Sequence, residues 1–209
     1  MQVTNPAPAL AKVYQKECVI SKSTKMVTSS FGGCYVLTGH DPETKYSFLA
    51  HIDDTTNVAS ICQIFSTLKG LGVDVQRLTS VRLMGGYQAH TESNAWGQRI
   101  IEVLRQEGLF GKIDFTYFQK KVEGSFNHVG DHTHFFGGQL DPQTGGFSFF
   151  KTIWMKLEVE SEAKSHEVLQ SLCAQKGINL SGLSKEQISV LAGHVLMDLP
   201  EVTLKVTVV

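Results

Sequence analysis

The chain has 209 residues, 42% hydrophobic and 19% charged, and its 19 basic and 20 acidic side chains leave a formal charge of −1. That length and apolar content build one core, or one core with an appendage, and exclude disordered, collagen-like and coiled-coil classes. The balanced charge supplies no field to hold a polyanion, which argues against a nucleic-acid partner.

The four cysteines, Cys18, Cys34, Cys62 and Cys173, are scattered without a C-x-x-C pair. Reduced thiols in a cytoplasmic setting are the expectation for a chain this size. The first twenty residues lack a basic start followed by an apolar block, and there is no run of about 18 apolar residues. No secretory leader and no membrane partner are therefore expected; export by a route that needs no leader stays compatible with the sequence.

Residues 1–11, with two prolines, read as a loose start. Alternation in VYQKECVI predicts a first strand. SKSTKMVTSSFGG reads as a polar stretch, and CYVLTGH and KYSFLAHID as two strands joined by DPET, a type I turn sequence with Asp first and Pro second. VASICQIFSTLKGLG predicts a helix, with Ile61, Ile64, Phe65 and Leu68 on one face and glycines at its end. VDVQRLTSVRLMGG predicts one or two strands. A second helix is expected from a cap at Ser93 or Asn94 to about Glu107.

KIDFTYFQ predicts a strand, with Phe115, Tyr117 and Phe118 on a sheet face. Residues 123–134 read as a long polar loop or a poorly patterned hairpin. FFGGQLDPQTGGFSFF predicts strand, turn and strand, and DPQT repeats the turn chemistry of DPET. WMKLEVE is expected to continue the sheet. EAKSHEVLQSLCAQKG and SKEQISVLAGHVL predict helices, the latter with Ser184 and Gln187 as a capping box. EVTLKVTVV closes as a strand. Roughly eight to ten strands and four helices without βαβα alternation indicate an α+β fold.

A four-residue turn at 41–44 pairs residues whose numbers sum to 85, as those of Cys34 and His51 do. The two are then cross-strand neighbours on one face, with Cβ atoms about 5 Å apart. A thiol and an imidazole at that distance can exchange a proton, and the thiolate is the nucleophile. Gly32 and Gly33 leave the backbone free to present N–H groups of Gly33 and Cys34 to an oxyanion. Thr28 is a candidate to orient the imidazole. The same pattern also describes an ordinary buried thiol opposite a half-buried histidine.

The segment TSSFGGC at 28–34 followed by His51 resembles the bacterial chemoreceptor glutamine deamidases of the CheD family. LMGGY at 83–87, WGQRIIEVLRQEGL at 96–109 and FFGGQLDPQTGGFSF at 135–149 are similar to later elements of that family. AHIDDTT at 50–56 resembles the H-x-D element of eukaryotic protein N-terminal asparagine amidohydrolases, with Asp53 in the matching place. Both groups share an architecture with cytotoxic necrotizing factor toxins.

The resemblance implies a mixed or antiparallel β-sandwich flanked by helices, a deamidase-like core over 12–150, and an extension over 151–209 packed on the same domain. It implies Cys34 as nucleophile, His51 as base, Thr28 as its orienting partner, and Asp53, Gly85 and Gly86 as substrate or orienting positions. The implied activity is deamidation of a Gln or Asn carboxamide on a protein substrate through a thioester, without a cofactor. Gly33 and Ile100 depart from the family pattern, which usually has serine and asparagine there.

A different class remains open. His128, His132 and His134, with Asp131, could supply ligands to zinc or another divalent ion, which would make a metal-dependent hydrolase. H-x-x-x-H-x-H matches no strong ligand signature, and a solvated or substrate-recognition loop fits the segment as well. A non-catalytic protein-binding module on the same scaffold is a further alternative. His90 and His194 read as structural, and Trp96 and Trp154 as core or half-buried.

Overall fold

The strands on either side of DPET carry apolar side chains at both odd and even positions, and a strand of that kind needs cover on both faces. The structure, a computed structural model, describes residues 10–29, 31–86, 91–119, 126–129, 132–150, 155–184, 187–188 and 201–209. In it β4 (Tyr35–His40) and β5 (Ser47–Ile52) are buried at every residue. They sit at the centre of a six-stranded sheet ordered β12 (Lys205–Val208), β2 (Glu17–Ser21), β5, β4, β6 (Thr79–Gly85), β7 (Ile113–Asp114). A four-stranded sheet is ordered β1 (Leu10–Val13), β3 (Lys25–Thr28), β10 (Gly138–Asp141), β11 (Gly146–Phe149). β8 (Phe126–Val129) and β9 (His132–Phe135) pair separately. The sheets are mixed: β1–β3, β2–β12 and β6–β7 run parallel, and the remaining pairs antiparallel.

Alternation along β4 and β5 sorts side chains to two cores. Tyr35, Leu37, Phe48, Ala50 and Ile52 join Ile64, Phe65 and Leu68 of α1 (Cys62–Gly70) and Ile100, Ile101 and Leu104 of α2 (Thr91–Gln106). Each fully buried side chain of this size contributes about 1.5–3 kcal/mol relative to exposure. On the other face Val36 and Leu49, with Val19 and Met84, meet Val13, Met26 and Leu140 of the four-stranded sheet. The result is an α+β architecture of mixed sheets flanked by helices.

Several expectations need correction. The first strand is broken at Tyr14–Lys16, where Glu17 N–H donates to the Tyr14 carbonyl (3.1 Å) and Lys16 takes a φ of 64°. The polar stretch contains β3, whose Met26–Val27 core it hides between lysine and threonines. α2 begins at Thr91, ahead of the expected caps. KIDFTYFQ is a strand only over β7, because the Asp114 side chain accepts from Thr116 N–H (2.8 Å) and turns the chain; Phe118 then meets the sheet again in one bridge to Gly85. WMKLEVE does not continue the sheet: α3 spans Met155–Gln175. Its run of Glu, Lys, Leu and Ala outweighs three residues of alternation. The Ser184–Gln187 capping box forms in both directions. Residues 1–9, His90, Trp154 and residues 189–200, including His194, lie outside the described residues.

The hairpin turn also differs from DPET alone. Asp41 N–H donates to the Tyr46 carbonyl (2.8 Å), and Lys45 N–H donates to the Asp41 carbonyl (2.9 Å). Lys45 and Tyr46 are thus taken into the connection, and His40 pairs with Ser47. The DPQT hairpin repeats this geometry, with Gly145 N–H donating to the Asp141 carbonyl (2.8 Å). The residue after the Thr is left-handed in both, Lys45 at φ 65° and Gly145 at φ 68°. A Cβ on Gly145 would meet the His40 Cβ at 2.7 Å. Lys45→Gly is therefore expected to be neutral or stabilising by up to about 1 kcal/mol, and Gly145→Ala destabilising by more than about 1 kcal/mol. Urea denaturation of the two variants checks the opposite signs.

Candidate active site

The corrected turn moves the register by two residues: His51 stands opposite Val36, not Cys34. A two-residue offset preserves the face, since side chains alternate with period two. Cys34 lies just before β4, two residues from Val36, and packs half-buried on the same core cluster as Val36 and Leu49. His51, two residues from Leu49, turns to that side as well and is completely buried. Cys34 and His51 are diagonal neighbours on the face that looks toward the four-stranded sheet.

Thr28 ends β3 on the opposing sheet and shares a face with Met26. Its hydroxyl donates to the Val13 carbonyl (3.0 Å) and lies 2.7 Å from His51 Nδ1. A hydroxyl carries one proton, and the carbonyl can only accept it. Thr28 Oγ1 must then accept from Nδ1–H, which fixes the tautomer and leaves the lone pair on Nε2. Nε2 is buried and has no hydrogen-bond partner among the described residues. Phe31 stands edge-on to the ring at 6.3 Å.

Burial sets the protonation states. Desolvation pushes His51 down to about 4, opposed by Asp53 and assisted by Lys16. It raises the Cys34 thiol well above its ordinary range, with Asp53 and Asp54 adding to the rise and Lys16 opposing it. The resting pair at neutral pH is a neutral thiol beside a neutral imidazole. Such a pair suits proton transfer during attack rather than a preformed ion pair.

Asp53 and the glycines act on the frame. Asp53 Oδ1 accepts from Thr55 N–H (3.1 Å), Thr55 Oγ1 (2.9 Å) and Thr56 Oγ1 (2.9 Å), and Oδ2 pairs with Lys16 (2.8 Å). It holds the turn after β5 and reaches the site as a charge only. Gly86 N–H donates to the carbonyls of Gly32 (2.7 Å) and Cys34 (3.1 Å). A Cβ on Gly85, whose φ is 90°, would meet the Cys34 carbonyl oxygen at 2.3 Å. The glycine pair therefore admits the Cys34 segment. Gly33 is exposed, and its carbonyl accepts from Ser93 Oγ of α2 (3.2 Å).

The cysteine motifs did not point to Gln15. Its Nε2 donates to Cys34 Sγ at 3.8 Å. It sits at the break between β1 and β2, a place the alternating pattern of VYQKECVI conceals.

The histidine-rich segment is placed only by its backbone register. His132 stands opposite Val129, His134 opposite Asn127, and His128 opposite Thr133, out of phase with the other two. Asp131 lies outside the described residues. Among the described residues no group of three His, Cys, Asp or Glu side chains is placed to hold a metal ion, and no helix is long and apolar enough to cross a membrane.

A scan against protein-family models matches none, and a search of curated proteins finds no match.

The imidazole nitrogen resonances at neutral pH are expected to report an Nδ1–H, Nε2-bare ring that titrates near pH 4. A dominant Nε2–H form would contradict the Thr28 bonding. The unfolded state binds a proton between its ordinary pKa and about 4 that the folded state refuses. Stability should therefore fall as pH drops through that window, by roughly 3 kcal/mol from His51. His51→Gln should remove that part of the slope in urea titrations at pH 7 and 4.5.

Proposed function

We propose that this protein is a cysteine-dependent amidohydrolase that converts a Gln or Asn carboxamide of a protein substrate into a carboxylate. The observation that carries the reading is the Thr28–His51 bond, which leaves a bare, buried Nε2 on the face shared with Cys34. The deamidase-like sandwich is part of this proposal; packing of Val36, Leu49 and Met84 against Val13, Met26 and Leu140 supports it. The deamidase core over 12–150 and the extension over 151–209 belong to the same proposal.

Cys34 Sγ attacks the amide carbon as His51 Nε2 takes the thiol proton. The S–C bond forms and the carbonyl π pair moves onto oxygen, toward the Gly33 and Cys34 N–H groups. Collapse restores the carbonyl and breaks the C–N bond, and the imidazolium proton leaves with ammonia. Water then gives a proton to Nε2 and adds to the thioester, and the thiol regains that proton on departure. The diagonal thiol and imidazole close up in the substrate complex, as catalytic contacts commonly do. The raised thiol makes this coupled transfer, not a standing thiolate, the entry to the reaction. No step calls on a cofactor.

Peptides bearing internal Gln, internal Asn or N-terminal Asn, incubated with the full chain, are expected to release ammonia and gain about 1 Da per turnover. Cys34→Ala should abolish both signals, and Thr28→Val should lower kcat by about 10²-fold or more. The acid limb of kcat/KM should fall with a midpoint near 4, where His51 gains its proton. Ammonia release that survives Cys34→Ala, or that requires the His132 and His134 side chains and a chelatable metal, would overturn the reading. Peptide binding without any mass gain would favour the binding-module alternative.

A further inference from the structure

We infer that Gln15 is a further catalytic residue, whose side-chain amide stabilises the oxyanion formed when Cys34 attacks a carbonyl. The inference rests on Cys34 being the nucleophile. Three observations support it.

The first is distance. In a tetrahedral adduct the charged oxygen lies about 2.7 Å from the attacking sulfur, and a useful donor lies about 3 Å from that oxygen. Gln15 Nε2, 3.8 Å from Cys34 Sγ, satisfies both lengths at once.

The second is rigidity. Gln15 bridges His51 in backbone register, and Lys16 N–H donates to the His51 carbonyl (2.8 Å). The Glu17-to-Tyr14 bond and the left-handed Lys16 close the turn around it. The donor is thus built on the backbone of the base itself, and the spacing of donor, base and nucleophile is set by one stretch of sheet.

The third is charge. Lys16, whose charge acts on both Cys34 and His51, is paired with Asp53 (2.8 Å). A neutral amide can donate in this buried face without opposing protonation of His51 during the reaction, which a cation would do. The amide does not titrate, so it leaves the pH profile to His51.

In the step concerned, the Sγ–C bond forms, the carbonyl π pair passes to oxygen, and the thiol proton passes to His51 Nε2. Gln15 Nε2–H bonds to that oxygen until collapse returns the pair and expels the leaving group.

Two probes separate this role from a structural one. Acylation by p-nitrophenyl acetate passes through a tetrahedral oxyanion and leaves an acetyl thioester. Alkylation by iodoacetamide displaces iodide at a saturated carbon and develops no oxyanion. Rates are read at residue 34 by peptide mass mapping in the full chain, with Cys34→Ala as background and thermal unfolding as a check on folding. Gln15→Ala is expected to slow acylation by about 10²-fold and alkylation by less than about threefold. Gln15→Glu, similar in size but unable to donate when ionised, should slow acylation at least as much. Equal acylation in wild type and both variants, or parallel losses with both reagents, overturns the role of Gln15 and leaves Cys34 as nucleophile. A wild-type thiol that is alkylated but never acylated overturns the nucleophile reading itself, and this inference with it.

Discussion

Thr28 gives its one hydroxyl proton to Val13 and a lone pair to His51 Nδ1, and in doing so it ties the two sheets together at the candidate site. The bond matters because of where it is made. His51 is sealed from water, so an unmatched Nδ1–H there would cost the full desolvation of a polar group. The same bond dictates which nitrogen remains basic. Structural and chemical demands thus fall on one threonine. A residue without a hydroxyl would take the Thr28 partner away from both the Val13 carbonyl and the ring.

Much of the site was legible from alternation. A turn at 41–44 predicts Cys34 and His51 directly opposite each other on one face; the structure pairs His51 with Val36 instead, an offset of two residues that leaves the face unchanged. Lys45 and Tyr46 entered the turn, which shifted the pairing by an even number of residues. An odd shift would have put His51 among the α1 and α2 side chains. Asp53 was legible as a position but not as a role. Its three hydroxyl and amide donors come from Thr55 and Thr56, so the carboxylate is occupied by its own turn.

What stayed hidden was the sheet behind the site. β3 is four residues long and sits in a stretch rich in Ser, Thr and Lys, where Met26 and Val27 are too few to register as a period. Its partner β10 comes from a hairpin more than a hundred residues later, a pairing that no local pattern records. The first turns of α3 are hidden for the opposite reason: three alternating residues in MKLEVE resemble a strand, while the rest of the helix, from Glu162 on, reads as a helix in the sequence. Gln15 has no sequence signature at all, because its position depends on the turn that carries the chain from β1 in one sheet to β2 in the other.

The pairing of β12 with β2 has a bearing on how the chain is made. Lys205–Val208 lie parallel to Glu17–Ile20, and the Lys205 ammonium stands 3.6 Å from Glu17. Until the ribosome has passed residue 208, the outer edge of β2 is an open template beside the strand that carries His51. An unpaired edge of that kind invites association with other chains. Nascent copies crowded on one messenger would be at greatest risk of joining through it.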